Sequence, residues 1–198
     1  MMRYSALLLV MIIFFGGCIA VSDNPLTDPN SETIDKGVLG TWFWNEENDS
    51  GFVHIGLDKK SKLLQLIMIE YDQDGAIDVS EFEGHTSSLG DYKYLNLKWV
   101  RPADEPKGYL LIKYSTEGES LAISLPNAKM IENAIKEGSL KGTVGKGKYA
   151  YSLSITEEQK KLQQFVLKHD KELFQEKSNL NRLNLPQPNS KGTATSDN

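Results

Sequence analysis

A chain of 198 residues that is 39% hydrophobic and 25% charged is long enough for one folded domain with a sizeable core and carries neither a collagen-like nor a wholly disordered composition. Its formal net charge of −5 and pI near 5.3 argue against a nucleic-acid binder, whose affinity would rest on clustered Lys and Arg neutralising phosphates. Residues 1–17 read as a secretory signal. Arg3 supplies the charged start, the run "ALLLVMIIFF" supplies the apolar core, and Gly16 and Gly17 end it with small residues. Counted from Ala6 to Val21 the apolar stretch reaches 16 residues, short of the roughly 18 needed to span a bilayer.

Phe15-Gly16-Gly17-Cys18 resembles the lipobox of bacterial lipoproteins, over about the first 18 residues. In that family small residues precede a cysteine that receives a diacylglyceryl thioether and becomes the new N-terminus. Phe15 stands where the family most often has Leu. The resemblance implies Cys18 as the lipid-attachment residue, a palmitate-type acyl anchor, and a membrane as partner. Cys18 is the one cysteine in the chain, so an internal disulfide is impossible and no zinc site with soft ligands can be built. Two or more acyl chains give stable anchoring where one is marginal. Lipoproteins held at an inner membrane usually carry Asp after the cysteine, and here that position is Ile19. The expected location is therefore the cell envelope, at the outer membrane facing the periplasm. Cleavage before Cys18 removes only Arg3 from the charged residues and leaves a net charge of −6.

Residues 18–37 contain "VSDNPLTDPNSETIDKG", acidic and with Pro25 and Pro29. They read as the lipidated N-terminus and a flexible tether, about 25 Å in root-mean-square span.

Past the tether the periodicity becomes that of strands, predicted over 38–45, 51–58, 62–71, 76–84, 92–101, 109–116, 120–125 and 148–155. Leu121, Ile123 and Leu125 alternate with Ser120, Ala122 and Ser124, and Tyr149, Tyr151, Leu153 and Ile155 alternate with Ala150, Ser152 and Ser154. Strands that bury one face suit an antiparallel barrel or sandwich. Two helices are predicted. The first covers 127–138, capped by Asn127, with Ile131, Ala134 and Ile135 on one face and Gly138 as the stop. The second covers 156–174, with Thr156 and Gln159 as a capping box and a stripe of Leu162, Phe165, Val166, His169 and Leu173, bent near His169-Asp170. The globular domain is expected over 38–184, and 185–198 ("LPQPNSKGTATSDN") as a disordered tail.

Gly40-Thr41-Trp42, opening the first predicted strand, is similar to the Gly-x-Trp signature of lipocalin-like barrels, in which the Trp plugs the closed end. The likeness could extend over about 38–175. Two departures stand out: a helix precedes the last predicted strand, and no Arg follows that strand to stack on Trp42, the nearest basic residues being Lys160 and Lys161. The fold class is mainly β, an antiparallel eight-stranded lipocalin-like barrel or sandwich with two helices.

No chemical motif survives inspection. Asp72, Asp74, Asp78, Ser80 and Glu83 fall at positions of a calcium-loop frame, but Ala76 and Ile77 occupy positions that need a ligand and a glycine. Asp74-Gly75 between two strands is a hairpin signal instead. His54 belongs on a strand surface, His169 on the helix stripe, Glu81 and Glu83 on one solvated strand face, and Ser87-Ser88 in a loop. An enzyme would need His85, Ser87 and a carboxylate to meet in a pocket. No catalytic residue, metal ligand or cofactor is assigned. Trp42, Trp44, Tyr92, Tyr94, Trp99, Tyr109, Tyr114, Tyr149 and Tyr151 could line a cavity or fill a core. Two non-enzymatic readings follow: a barrel that binds or senses a small hydrophobic molecule, and a lipid-anchored module that docks on an envelope protein through its surface.

Overall fold

The structure, a computed structural model, describes residues 19–29, 31, 33–46, 49–71, 75–103, 107–145 and 152–184. In chain order the described elements are β1 (Ile19–Ser22), a 3-10 turn (Lys36–Val38), β2 (Gly40–Glu46), β3 (Asp49–Leu57), β4 (Leu64–Tyr71), β5 (Ile77–Leu89), β6 (Tyr92–Arg101), β7 (Leu110–Glu117) and β8 (Ser120–Ser124). These are followed by α1 (Ala128–Lys136), β9 (Gly142–Gly145), β10 (Ser152–Ile155), α2 (Gln159–Leu173) and β11 (Ser178–Arg182). The signal segment, Cys18, Asp72 to Asp74, Tyr149, Tyr151 and the expected tail lie outside the described residues.

Eight strands close an antiparallel barrel in the order β11-β2-β3-β4-β5-β6-β7-β8. The fold class read from the sequence is the one observed. Alternation does the work: every second residue of each strand turns inward, and Val38, Trp42, Val53, Ile55, Leu64, Leu66, Phe82, Leu95, Leu97, Tyr114, Leu121 and Leu180 form one buried cluster. The barrel interior is thus filled by side chains.

A second layer covers one wall. β1, β10 and β9 form a three-stranded sheet, with β1 parallel to β10. This sheet and the two helices bury Ala20, Leu26, Ile131, Leu153, Leu162 and Val166 against Leu89, Tyr94 and Leu111 on the barrel's outer surface. The ring order sets β3 opposite β7, so the covered wall, where β1 meets β7, faces away from the wall of β2, β3 and β4.

Several expectations change. Residues 19–29 are not a free tether: Val21 and Leu26 are buried, and β1 is an edge strand of the small sheet, paired with the central β10. Its apolar run finds a partner more than a hundred residues away, which local sequence cannot reveal. The strand expected over 148–155 is described only from Ser152, and it belongs to the covering sheet. The eighth barrel strand is β11, a polar "SNLNR" whose sole inward apolar anchor is Leu180. β5 continues to Leu89, so Ser87 and Ser88 lie in a strand.

The first helix agrees with expectation, with Asn127 Oδ1 accepting from the Met130 N–H at 3.0 Å and Gly138 at φ 74°. The second begins later than expected, with Glu158 at its cap position and no side-chain cap bond. The capping box of Thr156 is absent because Thr156 donates its backbone N–H to Lys141 O, while the Glu157 carboxylate accepts from the Lys141 and Glu158 N–H groups. The bend near His169 is present, at φ −113° and ψ 15°.

Candidate functional site

The closed end is built on Trp42. Its indole N–H donates to Val38 O at 2.7 Å, so the 3-10 turn folds across the barrel base. Arg182, at the end of β11, lays its guanidinium 4.0 Å from the Trp42 ring centroid and donates to the carbonyls of Leu39 (2.7 Å) and Gly37 (3.1 Å). The Arg that the sequence reading did not find is therefore supplied by a strand it did not recognise. Gly40 has φ +131°, and a Cβ there would stand 2.4 Å from Arg182 Nη1, which explains the glycine of Gly40-Thr41-Trp42.

Beside this plug, Asp35 accepts from Lys93 Nζ at 2.8 Å, from the Gly37 N–H at 2.8 Å and from Tyr114 OH at 3.0 Å. Burial raises its pKa, but these bonds outweigh burial and hold the carboxyl below its usual range.

His85 and Ser87 do meet, yet their company is a latch. His85 Nε2 contacts Thr27 O at 2.7 Å, Thr27 Oγ1 contacts Ser87 Oγ at 2.7 Å, and Asn96 donates to Ser87 while accepting from the Leu26 N–H at 2.7 Å. All three side chains on the barrel are at most 1% exposed. Within "HTSS", His85 Nε2, Thr86 Oγ1 and Ser87 Oγ each bond to the N-terminal strap, with an amide rather than a carboxylate as third member.

A second polar clamp holds α2. Asp170, 3% exposed, accepts from Tyr94 OH at 2.7 Å and pairs with Lys113, whose ammonium also lies 4.0 Å from the Tyr92 ring centroid. Burial, then the bond to Asp170, pushes the Tyr94 phenol upward.

The remaining sequence candidates separate. His54 is exposed and bonded to Thr41 Oγ1 at 2.9 Å, His169 packs against Phe165 in a tilted arrangement with ring centroids 4.9 Å apart, and Glu81 pairs with Arg101 at 3.5 Å. Of the aromatics, Trp42 and Tyr114 are buried in the barrel core. Tyr94 lies under the helices, packed 5.6 Å from Phe174, with Tyr92 and Tyr109 at the same cluster.

Two apolar surfaces are left. Above Trp42, the half-buried Trp44, Met68 and Trp99 top the interior cluster, with Trp99 5.3 Å from Phe82. Outside, a row runs across four strands, since Phe43 faces Phe52, Phe52 faces Ile69, and Ile69 faces Val79. Ile67 (47% exposed) lies on one side of this row; Tyr71, opposite Ile77 (62% exposed), lies on the other. Val100 is added at the β-bulge of β6.

Sequence reading missed this wall. The signal was present in "LQLIMIEY": Leu64, Leu66 and Met68 point inward, while Ile67, Ile69 and Tyr71 are apolar on the face that should be polar.

A small cavity lined by Ala20, Leu111, Ile131, Leu162 and Val166 measures about 10 Å³, room for a single water at most, and a shallow groove of about 440 Å³ runs between the helices past Met130, Asn133, Phe165 and His169. Among the described residues no His, Asp or Glu group is arranged to hold a metal ion, and no helix is long and apolar enough to cross a membrane. No family model matches the chain, and no curated protein or solved structure is significantly similar to it. What the geometry defines is a closed, eight-stranded antiparallel β-barrel with a filled interior, a helical layer on one wall and an apolar surface on the opposite one.

Proposed function

We propose that this protein is a non-enzymatic, lipid-anchored envelope lipoprotein whose barrel is a scaffold for docking another envelope protein. Cys18 carries the acyl chains, and Ile19 directs the protein to the outer membrane, facing the periplasm. The observation that carries the docking role is the outer wall: Phe43, Phe52, Ile67, Ile69, Ile77 and Val79 are contiguous on the barrel's outer face, with Ile67, Ile77 and Val79 exposed and the other three half-buried, whereas a barrel wall facing water normally alternates apolar-in and polar-out. The partner presents an apolar face to this wall. A photo-crosslinker placed at Ile69 should capture a discrete envelope protein, and Ile77→Asp with Val79→Asp should abolish that capture. Crosslinking unaffected by these substitutions refutes the proposal.

A second reading is favoured by Trp44, Met68 and Trp99. Half-buried aromatic and thioether side chains packed on the core cluster suit a small hydrophobic molecule held against them, since the interior below is occupied. Native mass spectrometry of gently extracted protein distinguishes the two. A discrete added mass that disappears on unfolding supports the ligand, and the bare mass supports the scaffold.

A further inference from the structure

We infer that the helical layer is the membrane-facing side of the domain, with the outer face of α2 resting on anionic phospholipid headgroups. The inference rests on the proposed lipid anchor at Cys18. Two further observations carry it.

The first is that no slack separates the anchor from the fold. Cys18 is followed at once by β1, hydrogen-bonded to β10 from Ile19 onward and buried at Ala20 and Val21. An acylated Cys18 therefore brings the bilayer to within a residue or two of the covering sheet. α2 lies beside that strand, with Leu162 and Val166 lining the same small cavity as Ala20, and with Gln163 donating to Leu26 O in the segment that follows it. A helix is about 10 Å across, so its far face lies close to the anchor.

The second is charge. Residues 18–126 hold 19 acidic and 9 basic residues, whereas 127–145 and 152–184, which supply α1, β9, β10, α2 and β11, hold 7 acidic and 9 basic. On α2 the exposed positions include Lys160, Lys161, Gln164, Leu167, Lys168 and Lys171, against Glu172 as the exposed acid. Among the described residues none of these four lysines is in an ion pair, unlike Lys129 and Lys136 of α1, which both pair with Glu132. An acidic protein with its cations gathered on the layer beside its anchor is complementary to a negative lipid surface. Leu167, 44% exposed in the middle of the stripe, can enter the headgroup boundary. The ring order then turns the apolar wall of β2, β3 and β4 away from the bilayer, toward partners.

The test uses the mature lipidated chain in phosphatidylcholine vesicles with about a third phosphatidylglycerol. Lysines are acetylated with a water-soluble ester and read by mass spectrometry, against the same chain in detergent micelles. On the vesicles Lys160, Lys161, Lys168 and Lys171 should react about fivefold more slowly, while Lys59, Lys60 and Lys62 on the exposed β3–β4 turn keep their rates. Unchanged α2 rates on a chain that floats with the vesicles overturn the orientation and leave the anchor standing. Equal protection of all seven lysines also overturns it. A chain that fails to float overturns anchor and orientation together.

Discussion

Removing the guanidinium that closes the barrel base is the most informative single perturbation of the fold. Arg182→Ala deletes two hydrogen bonds from a charged donor to the Leu39 and Gly37 carbonyls and the stacking on Trp42. Bonds of this kind contribute roughly 1.5–3 kcal/mol each and the stacking about 1 kcal/mol. The contact with Glu119, 3.3 Å away but 66% exposed, adds little. Because the three share one group they do not add fully, and the expected loss is about 3–4 kcal/mol. With a urea slope of about 2 kcal/mol/M, the midpoint followed by Trp fluorescence should fall by about 1.5–2 M. Arg182→Lys keeps the charge but not the planar fork, and should fall between. Gly40→Ala places a methyl against Arg182 at a positive φ, so it destabilises strongly, and less so when Arg182 is already Ala. An Arg182→Ala midpoint within experimental error of wild type, or strict additivity with Gly40→Ala, refutes the plug.

The strap, the base and the helix clamp each give a further expectation. Leu26→Ala, at a site with 0% exposure, should cost about 2–5 kcal/mol and speed amide exchange at 19–29, whereas a free tether would be indifferent in a denaturation curve. Asp35 has a lowered pKa, so its stabilisation is complete above the unfolded carboxylate value of about 4 and is lost as pH falls through its own lower value. Asp35→Asn should flatten that acid limb in a plot of unfolding free energy against pH. Asp170→Asn leaves Lys113 without its carboxylate beneath α2 and should cost about 3 kcal/mol, with Tyr94→Phe costing about 1 kcal/mol; hydrogen exchange should locate both effects in α2.

Legibility of the fold followed the strength of local pattern. Seven barrel strands and α1 could be read because alternation and capping are written within a few residues of each other. β11 could not, since its place depends on Leu180 and on Arg182 reaching Trp42 across the barrel, and neither signal is local. β1 was hidden for the same reason, its parallel partner being β10. "HTSS" read as loop because polar strand residues declare themselves only when the strap that bonds them is in place. The apolar wall was legible in the doubly apolar run of β4, but a continuous run is ambiguous between a strand covered on both faces and one left exposed. Only the ring order separates them, by putting the covering layer on the other wall.

The central claim, that this barrel acts through its outer wall while its helical layer lies toward the membrane, is tested most directly by site-specific photo-crosslinking in intact envelopes. A probe at Ile69 should yield a discrete protein adduct and a probe at Gln164 should yield lipid. Protein adducts of the same identity from Gln164 but none from Ile69 would contradict the account.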